Sequence, residues 1–363
     1  MSLTAILFVL LFAIIYFLLC FYISKNIWVW LKTYTNGKYK KTYTILFVFI
    51  AVSPFLTRAF TIPVFAWISG FWMAIIGYSL ILLPLANLLY FLLKKKGIKW
   101  MGLGIMLFFA IIFSVGSFNA WNPIVRSYDV NIPKKTELPG IKILLASDLH
   151  LGPIVGVSHL QKLVDIADNV QPDLILLAGD TIDDDIEPFV ENNMQKLMAE
   201  LQAPLGVYAI SGNHDVYGND LLRLEHELTN AGVQVLRDET VLIQNQFYLT
   251  GRKDPAEGDR YEIQSLLKGL DKSKPIIMMD HQPNELQLAE KYGADVLVSG
   301  HTHNGQLAPA NLITGMLFEN DGGYLQKNSL HSFVSSGFGT WGPPLRIGSR
   351  SEVMVINLQF GVQ

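Results

Sequence analysis

The sequence predicts an α/β domain preceded by an all-α region of four membrane-spanning helices. Half of the 363 residues are hydrophobic and only 16% are charged, too apolar on average for one ordinary soluble domain. The apolar excess lies before Asn119, which marks the main boundary. Beyond it, short runs of Ile, Leu and Val alternate with helical patterns, as buried strands and covering helices do.

Ala5 to Ile23 is an unbroken run of nineteen hydrophobic residues, close to the ~20 needed to cross a bilayer core, and is read as the first span, 5–23. A cleaved signal peptide or lipidation at Cys20 competes with this reading. No basic segment precedes the run, however, and bulky Leu18 and Leu19 precede the cysteine. The second span, 43–57, is short, carries Pro54 and ends at Arg58. The third is placed at 70–93, with Ser69-Gly70 and Pro84 as breaks or kinks, and the fourth at 100–118. Trp28, Trp30, Trp100 and Trp121 stand near span ends, where aromatic anchors collect.

Lysines set the expected orientation, because short basic loops stay on the cytoplasmic side. Lys25, Lys32, Lys38, Lys40 and Lys41 follow the first span, and Lys94, Lys95, Lys96 and Lys99 follow the third. Four spans then leave the C-terminal domain extracytoplasmic. Residues 1–118 are thus a transmembrane region of a cell-membrane protein. Residues 119–140, with Pro123, Pro133 and Pro139, read as a juxtamembrane connector, and 141–363 as the α/β domain. The single cysteine lies in the first span, so the α/β domain has neither disulfide nor thiol chemistry. A net charge of −3 and no basic cluster after residue 135 argue against a nucleic-acid partner, and no protein partner is predicted.

Within the domain, five apolar runs end in polar clusters: 141–147 before Asp148-Leu149-His150, 173–178 before Gly179-Asp180, and 206–211 before Gly212-Asn213-His214-Asp215. The other two are 275–279 before Asp280-His281, and 294–299 before Gly300-His301-Thr302-His303. Helices are expected from an N-cap at Ser158 through Asn169, over 221–230, and over 284–292. Polar clusters at the carboxyl ends of strands converge on one edge of an α/β sheet, where ligands bind.

A lone His or Asp at a strand end is most simply a hydrogen-bonded cap. Five of the eight histidines fall in these five clusters, which points to a shared site. Asp148, His150, Asp180, Asn213, His281, His301 and His303 mix carboxylate, amide and imidazole donors, a set suited to two divalent metal ions, Mn, Fe or Zn. Seven donors exceed what one tetrahedral ion takes and suit two ions that share a carboxylate.

Asp148-x-His150, Gly179-Asp180, Gly212-Asn213-His214-Asp215, His281 and Gly300-His301-Thr302-His303 together resemble the signature of the calcineurin-like metallophosphoesterase superfamily, over residues 141–358. The resemblance implies a four-layer α-β-β-α sandwich. It also implies one metal on Asp148, His150, Asp180 and His303, and a second on Asp180, Asn213, His281 and His301, with Asp180 bridging. Attack on phosphorus by a metal-bound hydroxide would follow, with His214 as general acid and Asp215 orienting or charging its ring.

Asp183-Asp184-Asp185 reads as a solvated acidic loop rather than a third cation site, and His159, His226 and His331 as surface residues. In the Gly-rich tail 335–346, Arg346 and Trp341 are candidate substrate contacts, with a loop packed on the sheet as the bland alternative. Many relatives with a similar tail carry a basic residue where Ser336 stands, so substrate contacts are not carried over through that position. The leading expectation is a metal-dependent phosphoesterase acting on a phosphomonoester, phosphodiester or pyrophosphate, with a lipid-linked or envelope-associated phosphate as a candidate substrate. The alternative is a membrane sensor or scaffold that binds a phosphorylated ligand without turnover. A transport role finds no support, since the spans lack Asp, Glu and His.

Overall fold

The structure, a computed structural model, describes residues 3–60 and 62–361. It divides into a helical unit, Met1–Val115 with Gly342–Pro344, and an α/β unit, Gly116–Trp341 with Leu345–Gln363.

The helical unit contains α1 (Leu3–Thr35), α2 (Lys40–Ala59), α3 (Pro63–Leu92) and most of α4 (Ile98–Trp121). Each is long and apolar enough to cross a membrane. The helices outrun the expected spans because charge does not end a helix; a left-handed backbone does. Thus α1 continues past Lys25 and Lys32 to Asn36 and Gly37, both at positive φ, and α3 stops before Lys94, Lys95 and Gly97, also at positive φ. Neither Gly70 nor Pro84 breaks α3, which runs through both. The side chain of Arg58 lies outside the described residues.

Most large apolar side chains of these helices point outward, Phe8 being 74% exposed, as expected of a surface solvated by lipid. The interior is small and contains Tyr16, Cys20, Ile23, Ala51, Trp72, Ile76 and Leu83. Two of its aromatic residues pair their polar atoms internally, as suits a setting without water. Trp72 Nε1 donates to the Tyr16 hydroxyl at 2.8 Å, which donates to Ala51 O, tying α1, α2 and α3 together.

The α/β unit begins inside the last turns of α4, earlier than the expected boundary. Its strands are β1 (Ile124–Ile132), β2 (Gly140–Ala146), β3 (Leu174–Ala178), β4 (Val207–Ile210), β5 (Val233–Val235), β6 (Glu239–Ile243), β7 (Phe247–Gly251), β8 (Ile276–Met279), β9 (Val296–Ser299), β10 (Gly323–Lys327), β11 (Leu330–Val334) and β12 (Glu352–Phe360). They form two six-stranded sheets, ordered β1-β12-β2-β3-β4-β5 and β10-β11-β9-β8-β7-β6. The stretch 119–140 is therefore no free connector. Pro123 and Pro133 bracket β1 instead of interrupting it, and as an edge strand parallel to β12 it tolerates a polar sequence.

Alternation along the strands builds the layers. Ile143 and Leu145 of β2 meet Leu249, Ile277 and Val298 between the sheets. Leu144 and Ala146 point the other way, against Leu160, Leu163 and Val164 of α5 (Val157–Val170). Behind the second sheet, Ile276, Met278 and Leu297 pack on Ile263, Leu286 and Ala289. The result is a four-layer α-β-β-α sandwich, the expected fold. The N-cap of α5 is Gly156 rather than Ser158, the helix Leu221–Asn230 has its expected limits, and the third expected helix shortens to Leu286–Lys291.

Candidate metal centre

The five polar clusters follow directly on the ends of β2, β3, β4, β8 and β9. Asp148, His150, Asp180, His301 and His303 all adopt positive φ, a conformation costing about 1–3 kcal/mol each and tolerated where function demands it. Two glycines make room for the carboxylates. A Cβ on Gly212 would stand 2.2 Å from Asp180 Oδ1, and one on Gly300 2.3 Å from Asp148 Oδ2. Backbone N–H groups fix both acids: His214 N donates to Asp180 Oδ1 at 2.8 Å and His301 N to Asp148 Oδ1 at 2.9 Å.

The seven side chains expected to hold metal form one chain of contacts. Asp148, His150 and His303 make one buried group, and Asp180, His281 and His301 a second. His301 Nδ1 and Asn213 Oδ1 are 2.9 Å apart, and His150 Nε2 lies 3.8 Å from Asp180 Oδ2.

The donor set fits divalent cations. His281 Nδ1 donates to Ala178 O at 2.7 Å, so in the neutral ring Nε2 carries only a lone pair. That nitrogen has no hydrogen-bond partner among the described residues and faces Asp180 Oδ2 at 3.1 Å. Two buried acceptors opposed in this way call for a positive charge between them, a proton or a metal. Burial pulls the His281 pKa down, but Asp180 outweighs it and leaves it well above the usual value. Burial likewise works to raise Asp180, but His281, His150 and His214 hold it well below the usual carboxylate range.

In the other group, His150 Nε2 and His303 Nε2 are 3.0 Å apart, a hydrogen-bond distance and about the separation of two nitrogens at ~2.1 Å from one ion and at right angles to each other. At His303 the outer contact is reversed. Arg346 Nη2 lies 3.2 Å from Nδ1, a donor where a ligating histidine ordinarily meets an acceptor. Burial, His150 and Arg346 together hold the His303 pKa well below its usual value; in the neutral ring an Nδ1 that accepts from Arg346 leaves the proton on Nε2, which a cation there would have to displace.

His214 lies beside this group, its ring centroid 4.8 Å from that of His150. Asp215 does not orient it. The Asp215 carboxylate accepts from Ile182 N at 3.0 Å and Gly212 N at 2.8 Å, and burial with the nearby Asp180 charge pushes its pKa up to about 7. The partner of His214 is Asp184, whose Oδ1 accepts from Nδ1 at 2.7 Å. Asp183 Oδ1 lies 3.5 Å from His150 Nδ1 and 4.0 Å from His214 Nδ1. Two of the three consecutive acids thus belong to the site, and the spacing Gly179-Asp180-x-x-Asp183 was the available signal. Against burial, Asp184, Asp180 and Asp183 raise the His214 pKa above its ordinary value.

In the tail, Trp341 is 54% exposed, with its ring 5.8 Å from that of His214. Gln306, which sequence reasoning missed, clasps its backbone, donating to Trp341 O at 2.8 Å and accepting from Trp341 N at 3.0 Å. Arg346 is not available to substrate. It is 0% exposed, and its guanidinium N–H groups go to Gly339 O, Ser336 O, Ser349 Oγ and His303 Nδ1. Burial lowers its pKa to about 10. His159 and His331 are buried rather than superficial, bonding Phe338 O at 2.9 Å and the Tyr324 hydroxyl at 2.8 Å; His226 is exposed.

Comparison with known proteins identifies similar sequences. The family model for calcineurin-like phosphoesterase matches residues 141–305. An uncharacterized metallophosphoesterase of Aquifex aeolicus (strain VF5) is 34% identical over 236 residues, 63% of this chain and 87% of that one. A transmembrane protein with metallophosphoesterase domain from Danio rerio is 31% identical over 269 residues, 69% of this chain; the chain spans 61% of that protein's length. The family uses divalent metals, and the four apolar helices together with the transmembrane relative assign this protein to a membrane. The chain belongs to the calcineurin-like metallophosphoesterase family.

Proposed function

We propose that this protein is a membrane-anchored phosphoesterase that uses two divalent cations, of Mn, Fe or Zn, to hydrolyse a phosphomonoester, phosphodiester or pyrophosphate. The observation that carries the reading is the buried approach of His281 Nε2 to the Asp180 carboxylate at 3.1 Å, in a pocket that also presents an anchored imidazole at His214. Asp148, His150, Asp180 and His303 hold one cation, and Asp180, Asn213, His281 and His301 the other, with Asp180 common to both. The cations, when bound, lower the pKa of water to supply a nucleophile near neutral pH and neutralise charge on phosphoryl oxygens.

The chain's own residues do the rest. Asp184 fixes the tautomer of His214 by accepting from Nδ1, which leaves Nε2 to deliver a proton to the departing oxygen. The raised pKa of His214 keeps that proton present near neutrality. Asp183 steadies His150 from the outer side, and Trp341 offers a flat apolar wall beside His214 for the organic part of the substrate.

The lysine-rich connections remain cytoplasmic and an even number of spans returns the α/β unit to the outer side, so the reaction is extracytoplasmic. A lipid-linked or envelope phosphate suits an enzyme held at the bilayer. The test is hydrolysis of bis-p-nitrophenyl phosphate and p-nitrophenyl phosphate by the full chain in detergent, stripped of metal and resupplied with Mn, Fe, Zn or Mg. Metal-dependent turnover supports the proposal, and the preferred ester narrows the substrate class. A folded protein that retains no divalent metal would overturn it.

A further inference from the structure

We propose that the helical unit binds one anionic phospholipid in a cleft between α1, α3 and α4, with an acyl chain along the cleft and the headgroup at Lys25. The cleft has a volume of about 750 Å³, within the range of small-molecule sites. Its walls are apolar and include Ile75, Leu83, Ile105 and Phe113. It extends along α3 from Ile75 to Tyr90 and along α4 from Ile98 to Phe113. Fifteen helical steps cover about 22 Å, more than the ~15 Å depth of one leaflet's hydrocarbon.

One part of this lining is polar: Tyr22, Lys25, Asn26 and Asn87. Asn87 Nδ2 donates to the Tyr22 hydroxyl at 2.8 Å, and Asn26 Nδ2 to Tyr22 O at 2.9 Å. Lys25 stands five residues before Trp30, whose indole N–H reaches Lys99 O at 3.3 Å. It therefore lies about 7 Å closer to the apolar run of α1 than the basic end of α4 does. Lys25 follows the apolar run of α1 by two residues and is exposed on the cleft, where a lysine attracts an anionic headgroup. Among the described residues no side chain pairs with it.

The helical unit cannot supply that anion itself. It carries ten basic residues, whereas no aspartate or glutamate precedes Asp129 in the sequence. A ligand that brings both an apolar chain and a negative headgroup matches both features of the cleft, and an anionic phospholipid is that ligand.

The experiment is native mass spectrometry of the full-length protein released from detergent after equilibration with equal amounts of dioleoylphosphatidylglycerol and dioleoylphosphatidylcholine. The expected result is one retained phosphatidylglycerol, favoured over phosphatidylcholine about fivefold, the factor expected of one lysine near an anionic headgroup. Lys25→Ala should remove the preference and Lys25→Arg keep it. Ala86→Trp, which fills the cleft, should lower retention of both lipids, and Lys41→Ala, outside the lining, should change nothing. Helical circular dichroism and a monodisperse gel-filtration profile of each variant report that it is folded. Equal retention of the two lipids by the unaltered chain, or a preference that survives Lys25→Ala, would overturn the proposal.

Discussion

His281 and His159 are both buried imidazoles that donate one N–H to a backbone carbonyl, the first to Ala178 O at 2.7 Å, the second to Phe338 O at 2.9 Å. Their second nitrogens differ. His281 Nε2 faces the Asp180 carboxylate, and despite burial the ring's pKa stands well above the usual value. His159 Nδ1 faces no polar partner among the described residues, the ring packs edge-on against Trp121, and burial lowers its pKa to about 4. Burial alone does not make a histidine functional. What separates the metal centre from the core behind the first sheet is a buried carboxylate within 3.1 Å of the second imidazole nitrogen.

The largest expected effect comes from erasing that difference. Asp180→Asn keeps the shape but removes the charge, which places His281 in the electrostatic situation of His159. Metal content after dialysis, read by atomic absorption, should fall, and metal-dependent turnover of bis-p-nitrophenyl phosphate should vanish. A variant that still retains its metals would show that the carboxylate is not what distinguishes the two regions. His214→Ala leaves the opposed pair intact and removes only the proton donor. Turnover should then drop about 10²- to 10⁴-fold while metal content holds, and a matching loss of metal would reassign His214 as a ligand.

A smaller effect is expected from Asp184→Asn, about 10- to 100-fold in kcat, as for residues that orient a catalytic group. The sign of its pH dependence follows from the contacts. Burial lowers the His214 pKa and Asp184 raises it, with a net shift upward, so removing Asp184 lets the ring lose its proton at lower pH. The alkaline limb of the kcat profile should move toward acid, making the loss deeper at pH 8 than at pH 6. A uniform loss at all pH values would mean that Asp184 acts on position and not on charge.

The parts of this molecule that were legible in the sequence are those whose physics is local. Fully buried strands read as apolar runs, and the ligand clusters stand directly at their ends, as with Leu174–Ala178 before Asp180. Features set by distant packing were misread. Asp184 and Asp185 are exposed, as a solvated run should be, but the turn after β3 also carries Asp183 and Asp184 to His150 and His214, which the run of acids did not reveal. Arg346, in a Gly-rich tail, looked free for phosphate, but the folded loop turns the carbonyls of Ser336 and Gly339 onto it. Strand β1 was hidden by its polarity, which only an edge position permits. His159 was the most recoverable error. It stands four residues before Leu163, on the apolar stripe of α5, where a surface assignment contradicts the helical period.

That misplaced residue gives the smallest expected effect and the other side of the comparison. Above pH 6.5 neither the folded nor the unfolded chain carries a proton on His159. Below it the unfolded ring binds one, while the folded ring, with a pKa of about 4, does not. The unfolded state thus binds more protons, and stability falls with acid until about pH 4, by about 2 kcal/mol at pH 5. His159→Gln retains an N–H for Phe338 O and does not titrate there. With metal saturating, so that the centre's own histidines contribute equally to both proteins, the variant should lose less thermal stability than the unaltered chain between pH 7.5 and pH 5. Turnover at pH 7.5 should persist. Equal acid losses in the two proteins would mean that the His159 pocket opens to water before the chain unfolds. A collapse of turnover would mean that the contact with Phe338 reaches the metal centre, and the two regions would then be one.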